Sequence, residues 1–152
     1  MNRTTRGAAL LLVAALALAF GLLASAEIKG EKPVDWATLA KMDFKSGKYP
    51  DAVEQTLART QLRVRGYAIP VEVADFEKIS EFILVPTQFG CCQGPPPDPN
   101  QIIDVKLAKP VSFDKLMGMV YLTGKLSVKK SDTGEYGYAL SKGEVFEPEY
   151  DI

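Results

Sequence analysis

Three hydrophobic patterns follow one another along this chain. The first is an unbroken apolar run from Gly7 to Leu23, preceded by Arg3 and Arg6 and followed by Ala24-Ser25-Ala26. The second is helical: after the polar stretch Glu27–Pro33, residues 35–42 form a short predicted helix with Asp35 as N-cap and Trp36, Leu39 and Ala40 on one face. Residues 45–50 contain Ser-Gly-Lys and a proline and read as a loop, and Asp51 to Leu57 predicts a second short helix. From Gln61 onward the period is two. Leu62 and Val64, then Tyr67 and Ile69, form two alternating sets whose phase shifts at Gly66, which predicts a bulge there. Ile79–Val85 is a second strand stopped by Pro86, and Ile102–Leu107 is a third that alternates less cleanly. Ser112–Leu116 predicts one helical turn capped by Ser112. Met119–Lys129 is a fourth strand around Gly124, Ser131–Glu135 is a turn, and Tyr136–Phe146 is a fifth strand.

Five strands, the first interrupted by glycine, and a helical turn between the third and fourth predict a mainly β domain, a small five-stranded OB-like barrel with short N-terminal helices. A small antiparallel sandwich is the alternative. The expected divisions are a signal peptide over residues 1–26, an N-terminal extension with short helices over 27–60, the OB-like domain over 61–147 and an acidic tail over 148–152. A basic start, an apolar middle and an A-x-A end are the three parts of a secretory signal, with cleavage expected after Ala26. The other reading of the same run is an uncleaved anchor, since it approaches the roughly 20 residues that span a bilayer. The expected location is therefore periplasmic or secreted, with the membrane touched only through an uncleaved signal.

Composition removes several kinds of chemistry. The chain has no histidine, which excludes the usual serine-hydrolase triad and every zinc site that needs His. Phosphate-loop, dinucleotide and nucleophile-elbow glycine motifs do not occur. No catalytic constellation emerges, so the chain reads as a non-enzyme. The formal charge of −1 becomes −3 once Arg3 and Arg6 are removed, which argues against nucleic acid as a partner. Arg59, Arg63 and Arg65 with Lys125, Lys129 and Lys130 could still line a nucleic-acid groove with Tyr67 or Phe82 stacking. A solvated face is the simpler account of those charges. Glu144, Glu147, Glu149 and Asp151 make the C-terminal end acidic, and the last residues are expected to fray.

One segment stands apart: Phe89-Gly90-Cys91-Cys92-Gln93-Gly94-Pro95-Pro96-Pro97-Asp98-Pro99-Asn100-Gln101. Its prolines fix φ and remove donors, which predicts a stiff extended loop. Stiffness lowers the entropy lost on binding and suits a preorganised recognition surface, although a rigid connector between two strands needs no more. Gly90, Cys91, Cys92, Pro95, Pro96, Pro97, Asn100 and Gln101 are the candidate binding residues.

The Gly-Cys element, the proline run and Asn100-Gln101 resemble the core motif of the bacterial domain-of-unknown-function 3299 family. The resemblance takes in Val64-Arg65-Gly66-Tyr67-Ala68-Ile69-Pro70, Ser80-Glu81-Phe82-Ile83-Leu84-Val85-Pro86 and Tyr121-Leu122-Thr123-Gly124-Lys125-Leu126, and so covers most of Trp36 to Glu147. It implies secreted or lipid-anchored proteins and an association, by gene neighbourhood, with ABC-type transport components of metal or lipoprotein traffic. It supplies no catalytic residue. Many members carry a His shortly after the Cys where this chain has Gln93, and that departure weakens a Cys-x-His metal site.

Three readings of Cys91 and Cys92 stand side by side. An oxidising compartment favours a disulfide, and adjacent cysteines would close a strained, reducible ring suited to a redox switch. Alternatively one or both thiolates hold a soft metal ion (copper or zinc), with the thioethers of Met117 and Met119 as further donors for Cu(I). Core filling is the simpler role for those methionines. In the third reading the thiols are buried and inert. The sequence thus points to a secreted cell-envelope binding or accessory protein with no resident cofactor, and to redox or soft-metal handling as the alternative. The expected partner is an envelope protein, including transporter components.

Overall fold

The computed structural model describes residues 33–71, 74–88 and 96–147. Its elements are α1 (Trp36–Leu39), α2 (Asp51–Leu57), β1 (Leu62–Pro70), β2 (Ile79–Val85), a first 3₁₀ turn (Pro99–Gln101), β3 (Ile103–Val111), a second 3₁₀ turn (Phe113–Leu116), β4 (Met119–Lys130) and β5 (Tyr136–Phe146). The strands close into a barrel in the order β1-β2-β3-β5-β4, with β4 returning to β1. All neighbours are antiparallel except β3 and β5, which run parallel. The described residues are therefore mainly β, a closed five-stranded OB-like barrel with only short helices among them, and the sandwich alternative falls.

Period-two alternation fills the barrel. Leu62 and Val64 of β1, Phe82 and Leu84 of β2, Ile103 and Val105 of β3, Val120, Leu122 and Leu126 of β4, and Tyr138 and Leu140 of β5 all lie in one core. Each such side chain contributes roughly 1.5–3 kcal/mol by leaving water. Phe82 is 2% exposed and is thus unavailable for the stacking role expected of it. The segment before β1 also enters this core: Val34, Leu39, Met42 and Val53 are buried in it.

The expected phase shift at Gly66 is absent. β1 pairs β4 in unbroken register from Leu62↔Gly124 to Tyr67↔Met119. Leu62, Val64, Gly66 and Ala68 therefore share the inner face, and Tyr67 and Ile69 turn outward, Ile69 to 41% exposure. The glycine serves a close approach instead. A Cβ at Gly66 would stand 2.5 Å from the Val85 carbonyl and 3.2 Å from Cζ2 of Trp36. Register does shift at three other places, between Ile79 and Glu81, between Val105 and Leu107, and between Thr123 and Lys125. The third strand is also longer than its pattern predicts, because Leu107 is followed by Ala108–Val111, which extend toward the Ile79↔Val111 pairing.

Strand direction gives the barrel two ends. One carries the starts of β1, β3 and β5 and the end of β4; the other carries their opposite termini and the starts of β2 and β4. The N-terminal segment closes the first end. β2 pairs only with Tyr67–Pro70 of β1, which leaves the first half of β1 open on that side. Val34 N–H donates to the Arg63 carbonyl and Trp36 Nε1 to the Arg65 carbonyl, both at 2.7 Å, and satisfy that edge. Asp35 caps α1 through Ala37 N–H. Tyr138 reaches up from β5 and donates its buried hydroxyl to the Leu39 carbonyl at 2.8 Å. Burial pushes that phenol's pKa up to about 12.

Candidate functional site

The candidate segment lies between β2 and β3 in the chain, and its described root, Pro96–Gln101, stands at the N-terminally closed end. Gly90, Cys91, Cys92 and Pro95 lie outside the described residues, while its C-terminal root is described in full. Pro96 and Asp98 are exposed and the chain stays extended to Asp98, whose ψ is 152°. The stiff extended form stops there, because Pro99, Asn100 and Gln101 form a 3₁₀ turn with Pro99 at its start. Gln101 N–H donates to the Asp98 carbonyl and Ile102 N–H to that of Pro99.

Asn100 ties this root down. It is 7% exposed, and its Nδ2 donates to the Ala40 carbonyl at 2.9 Å and the Met42 carbonyl at 2.7 Å. Those carbonyls follow α1, where the helix leaves acceptors unpaired. One amide therefore joins the proline segment to the N-terminal segment across 60 residues of sequence. Its Oδ1 is buried without a partner. β5 makes room beside it: a Cβ at Gly137 would lie 2.8 Å from the Pro99 carbonyl. Gln101 stays partly exposed next to this anchor. The two residues placed together by sequence as binding candidates thus differ, Asn100 being structural at its nitrogen and Gln101 open to a partner.

A shallow cleft of about 220 Å³ borders the root, between Pro99, Ile102, Lys129, Thr133 and Glu135. Lys129 Nζ donates to Asp104 Oδ2, and that carboxylate raises the lysine's pKa. The hydroxyls of Ser131 and Thr133 are 2.7 Å apart. These groups mostly satisfy one another, so the cleft has the chemistry of a contact surface and no nucleophile–base pair.

The opposite end is open and apolar. Met117 is 64% exposed and Met119 44%, so they do not fill the core as expected of them. With them stand Ile69, Val71, Phe76 and Phe113, all exposed. Phe113 N–H donates to the Phe76 carbonyl at 2.8 Å and the two rings meet edge to face at 5.6 Å, which fixes the two loops to each other.

The basic residues do not assemble into one groove. Lys125 Nζ donates to the Arg59 carbonyl at 3.0 Å, Lys130 stands over the Tyr136 ring, and Arg63 lies on Phe146 with its guanidinium carbon 4.4 Å from the ring centre. Sequence reasoning named Arg63 but missed its ring partner Phe146, which Tyr121 meets in turn. Only the barrel closure that puts β1 and β5 on either side of β4 brings them together. A lone Asn between a proline run and a strand was the available signal for the anchor.

The profile of one family, described as "Protein of unknown function (DUF3299)", matches residues 26–147. The chain belongs to the DUF3299 family. A crystal structure of a DUF3299 family protein from Pseudomonas aeruginosa PAO1, at 2.45 Å resolution, is 28% identical in sequence and covers 80% of this chain and 87% of its own, with a TM-score of 0.47. No curated protein matches. Membership in DUF3299 thus names relatives without naming an activity.

Proposed function

We propose that this DUF3299 protein is an exported cell-envelope accessory protein that binds an envelope partner, a transporter component included, through the segment Gly90–Gln101. The supporting observation is the Asn100 anchor. A buried amide spent on two carbonyls of the N-terminal segment holds the root of a proline-stiffened stretch, so little entropy is left to lose when Pro96, Pro97 and Gln101 meet a partner. A barrel of this type does not itself define a ligand, and the reading rests on the segment alone.

A photo-crosslinking residue at Pro96 tests it in cells that export the protein. The expected product is a discrete adduct with a membrane-embedded transport protein, absent when the same residue replaces Asp132. Equal labelling from both positions would sink the proposal.

A second reading, redox or soft-metal handling by Cys91 and Cys92, rests on the two adjacent thiols in the sequence, since the exposed thioethers of Met117 and Met119 stand at the opposite end of the barrel from the root of that segment. A native mass spectrum of protein purified without reductant or chelator separates the cases. Two hydrogens missing means a disulfide, and a metal adduct lost in Cys91→Ser means a metal site. Free thiols with no adduct would end this second reading. The same spectrum reports whether the chain starts at Glu27.

A further inference from the structure

The open end of the barrel holds two methionines that the proposed loop function leaves unused. Met119 opens β4, and Met117 precedes it by one glycine. Met117 is 64% exposed and Met119 44%, whereas Met42, the third methionine of the described residues, is 1% exposed. Both exposed side chains line one groove of about 460 Å³, together with the rings of Tyr121 and Phe146. Gly118 between them has a φ of 74°. Among the described residues nothing beyond its chain neighbours lies within 4 Å of where its Cβ would stand. The corner Met117-Gly118-Met119 is therefore open to small solutes.

Access decides the chemistry of a thioether. Its sulfur has no proton to lose, so its reaction with a peroxide needs no base and follows exposure. A lone pair on the sulfur attacks one oxygen of hydrogen peroxide. The S–O bond forms as the O–O bond breaks, and the transferred oxygen gives its proton to the departing hydroxide. Sulfur is oxidised by two electrons to the sulfoxide, and the peroxide is reduced to water. Asp114 and Glu147 also line the groove, but hydrogen peroxide is uncharged and is not repelled by them. Lys115 and Glu147 hold each other at 3.0 Å.

We propose that Met117 and Met119 form a paired oxidation site, at which a peroxide turns this face from apolar to polar while the fold stays intact. A sulfoxide oxygen is a strong acceptor, and an apolar guest laid against it would leave it without a donor. Beside Tyr121 and Phe146 the groove thereby loses its affinity for apolar groups. The barrel does not change, because neither methionine belongs to the core, and the buried Leu116 and Val120 hold the corner in place. Met42 is the opposite case. An oxygen on its sulfur would enter the core under the N-terminal segment, and its burial keeps the oxidant out. The exposure that admits an oxidant at Met117 and Met119 also admits a reductase, so the change is reversible. This site is separate from the Gly90–Gln101 segment and stands or falls independently of it.

The test treats the folded protein with hydrogen peroxide, stops the reaction with catalase and maps oxygen uptake by peptide mass spectrometry. Met117 and Met119 should each gain one oxygen roughly tenfold or more faster than Met42. Nile red, an uncharged apolar probe, should bind the untreated protein and bind at least about threefold more weakly after treatment. The double substitution Met117→Leu/Met119→Leu keeps the face apolar and removes both sulfurs, so it should bind the probe and keep it through the same treatment. That variant also separates the methionines from Cys91 and Cys92, which peroxide attacks as well. Methionine sulfoxide reductases A and B with dithiothreitol should restore the probe signal, and dithiothreitol alone should not. Circular dichroism should stay unchanged throughout. Should the double variant fail to fold, the oxygen map and the reductase arm decide alone. Oxidation of Met42 at a comparable rate, no Nile red binding, or no loss of probe on oxidation would overturn the site. Equal loss in the double variant, no recovery with the reductases, or recovery with dithiothreitol alone would do the same.

Discussion

The two ends of the barrel are built from the same strands and finished in opposite ways. At the N-terminal end a helical segment covers the opening, with Leu39 and Met42 at 0% and 1% exposure and with hydrogen bonds from Asn100, Tyr138 and Trp36 fixing it. At the other end Leu116 is buried as a plug, but Phe76, Phe113, Met117 and Met119 remain in water. The difference lies in what each set of residues can do. Buried amides and phenols must be paired, so they lock one geometry. Exposed aromatic rings and thioethers make no such demand and stay available to a ligand or partner. One end is closed by paired polar groups, and the other leaves apolar side chains exposed.

If that division holds, truncations should cost stability at one end only. The largest loss belongs to Leu39→Ala, about 3–5 kcal/mol by chemical denaturation, since the removed atoms leave a cavity between the N-terminal segment and the barrel. A loss below about 1 kcal/mol would mean that this segment is only loosely applied. Asn100→Ala comes next at about 2–3 kcal/mol, because two carbonyls lose their donor. Hydrogen exchange should show the loosening confined to residues near 34–44 and 96–102, and a uniform increase would contradict the anchor.

The Tyr138 phenol sharpens the comparison through pH. Its folded pKa, about 12, lies above the ordinary value of 10, so the folded state holds the proton more tightly. Its contribution is fully present below pH 10 and is lost as the pH rises from about 10 toward 12. The Asp104 carboxylate also holds the Lys129 pKa above its ordinary value, so the measurement is a difference between variants. Tyr138→Phe should be less stable than the wild type at neutral pH, through loss of the bond to Leu39, and should show a shallower alkaline decline. Identical slopes would show that the phenol does not sense burial. Smallest of all is Phe76→Ser at the open end, which should stay within about 0.5 kcal/mol of the wild type. A larger loss there would erase the distinction between the two ends.

Sequence by itself determined the strands, the turn Ser131–Glu135, the Asp35 cap of the first short helix and hence the barrel, because the alternation of apolar residues is local and each strand carries its own. Asp35 as a cap and Ser112 before a helical turn were legible for the same reason, although Ser112 makes no capping bond. It also marked Gly90–Gln101 as unlike its surroundings, since proline restricts its own residue wherever it falls. The tertiary structure alone decided what Gly66 is for. A bulge and a close approach both call for glycine, and only the position of the Val85 carbonyl and Trp36 tells them apart. The same holds for Met117 and Met119, whose exposure depends on where the barrel ends and not on their own spacing. Arg63 on Phe146 and Asn100 on Ala40 and Met42 join residues 83, 60 and 58 positions apart in sequence. Such pairs come from barrel closure and from the N-terminal segment folding back, and no periodicity along the chain encodes them.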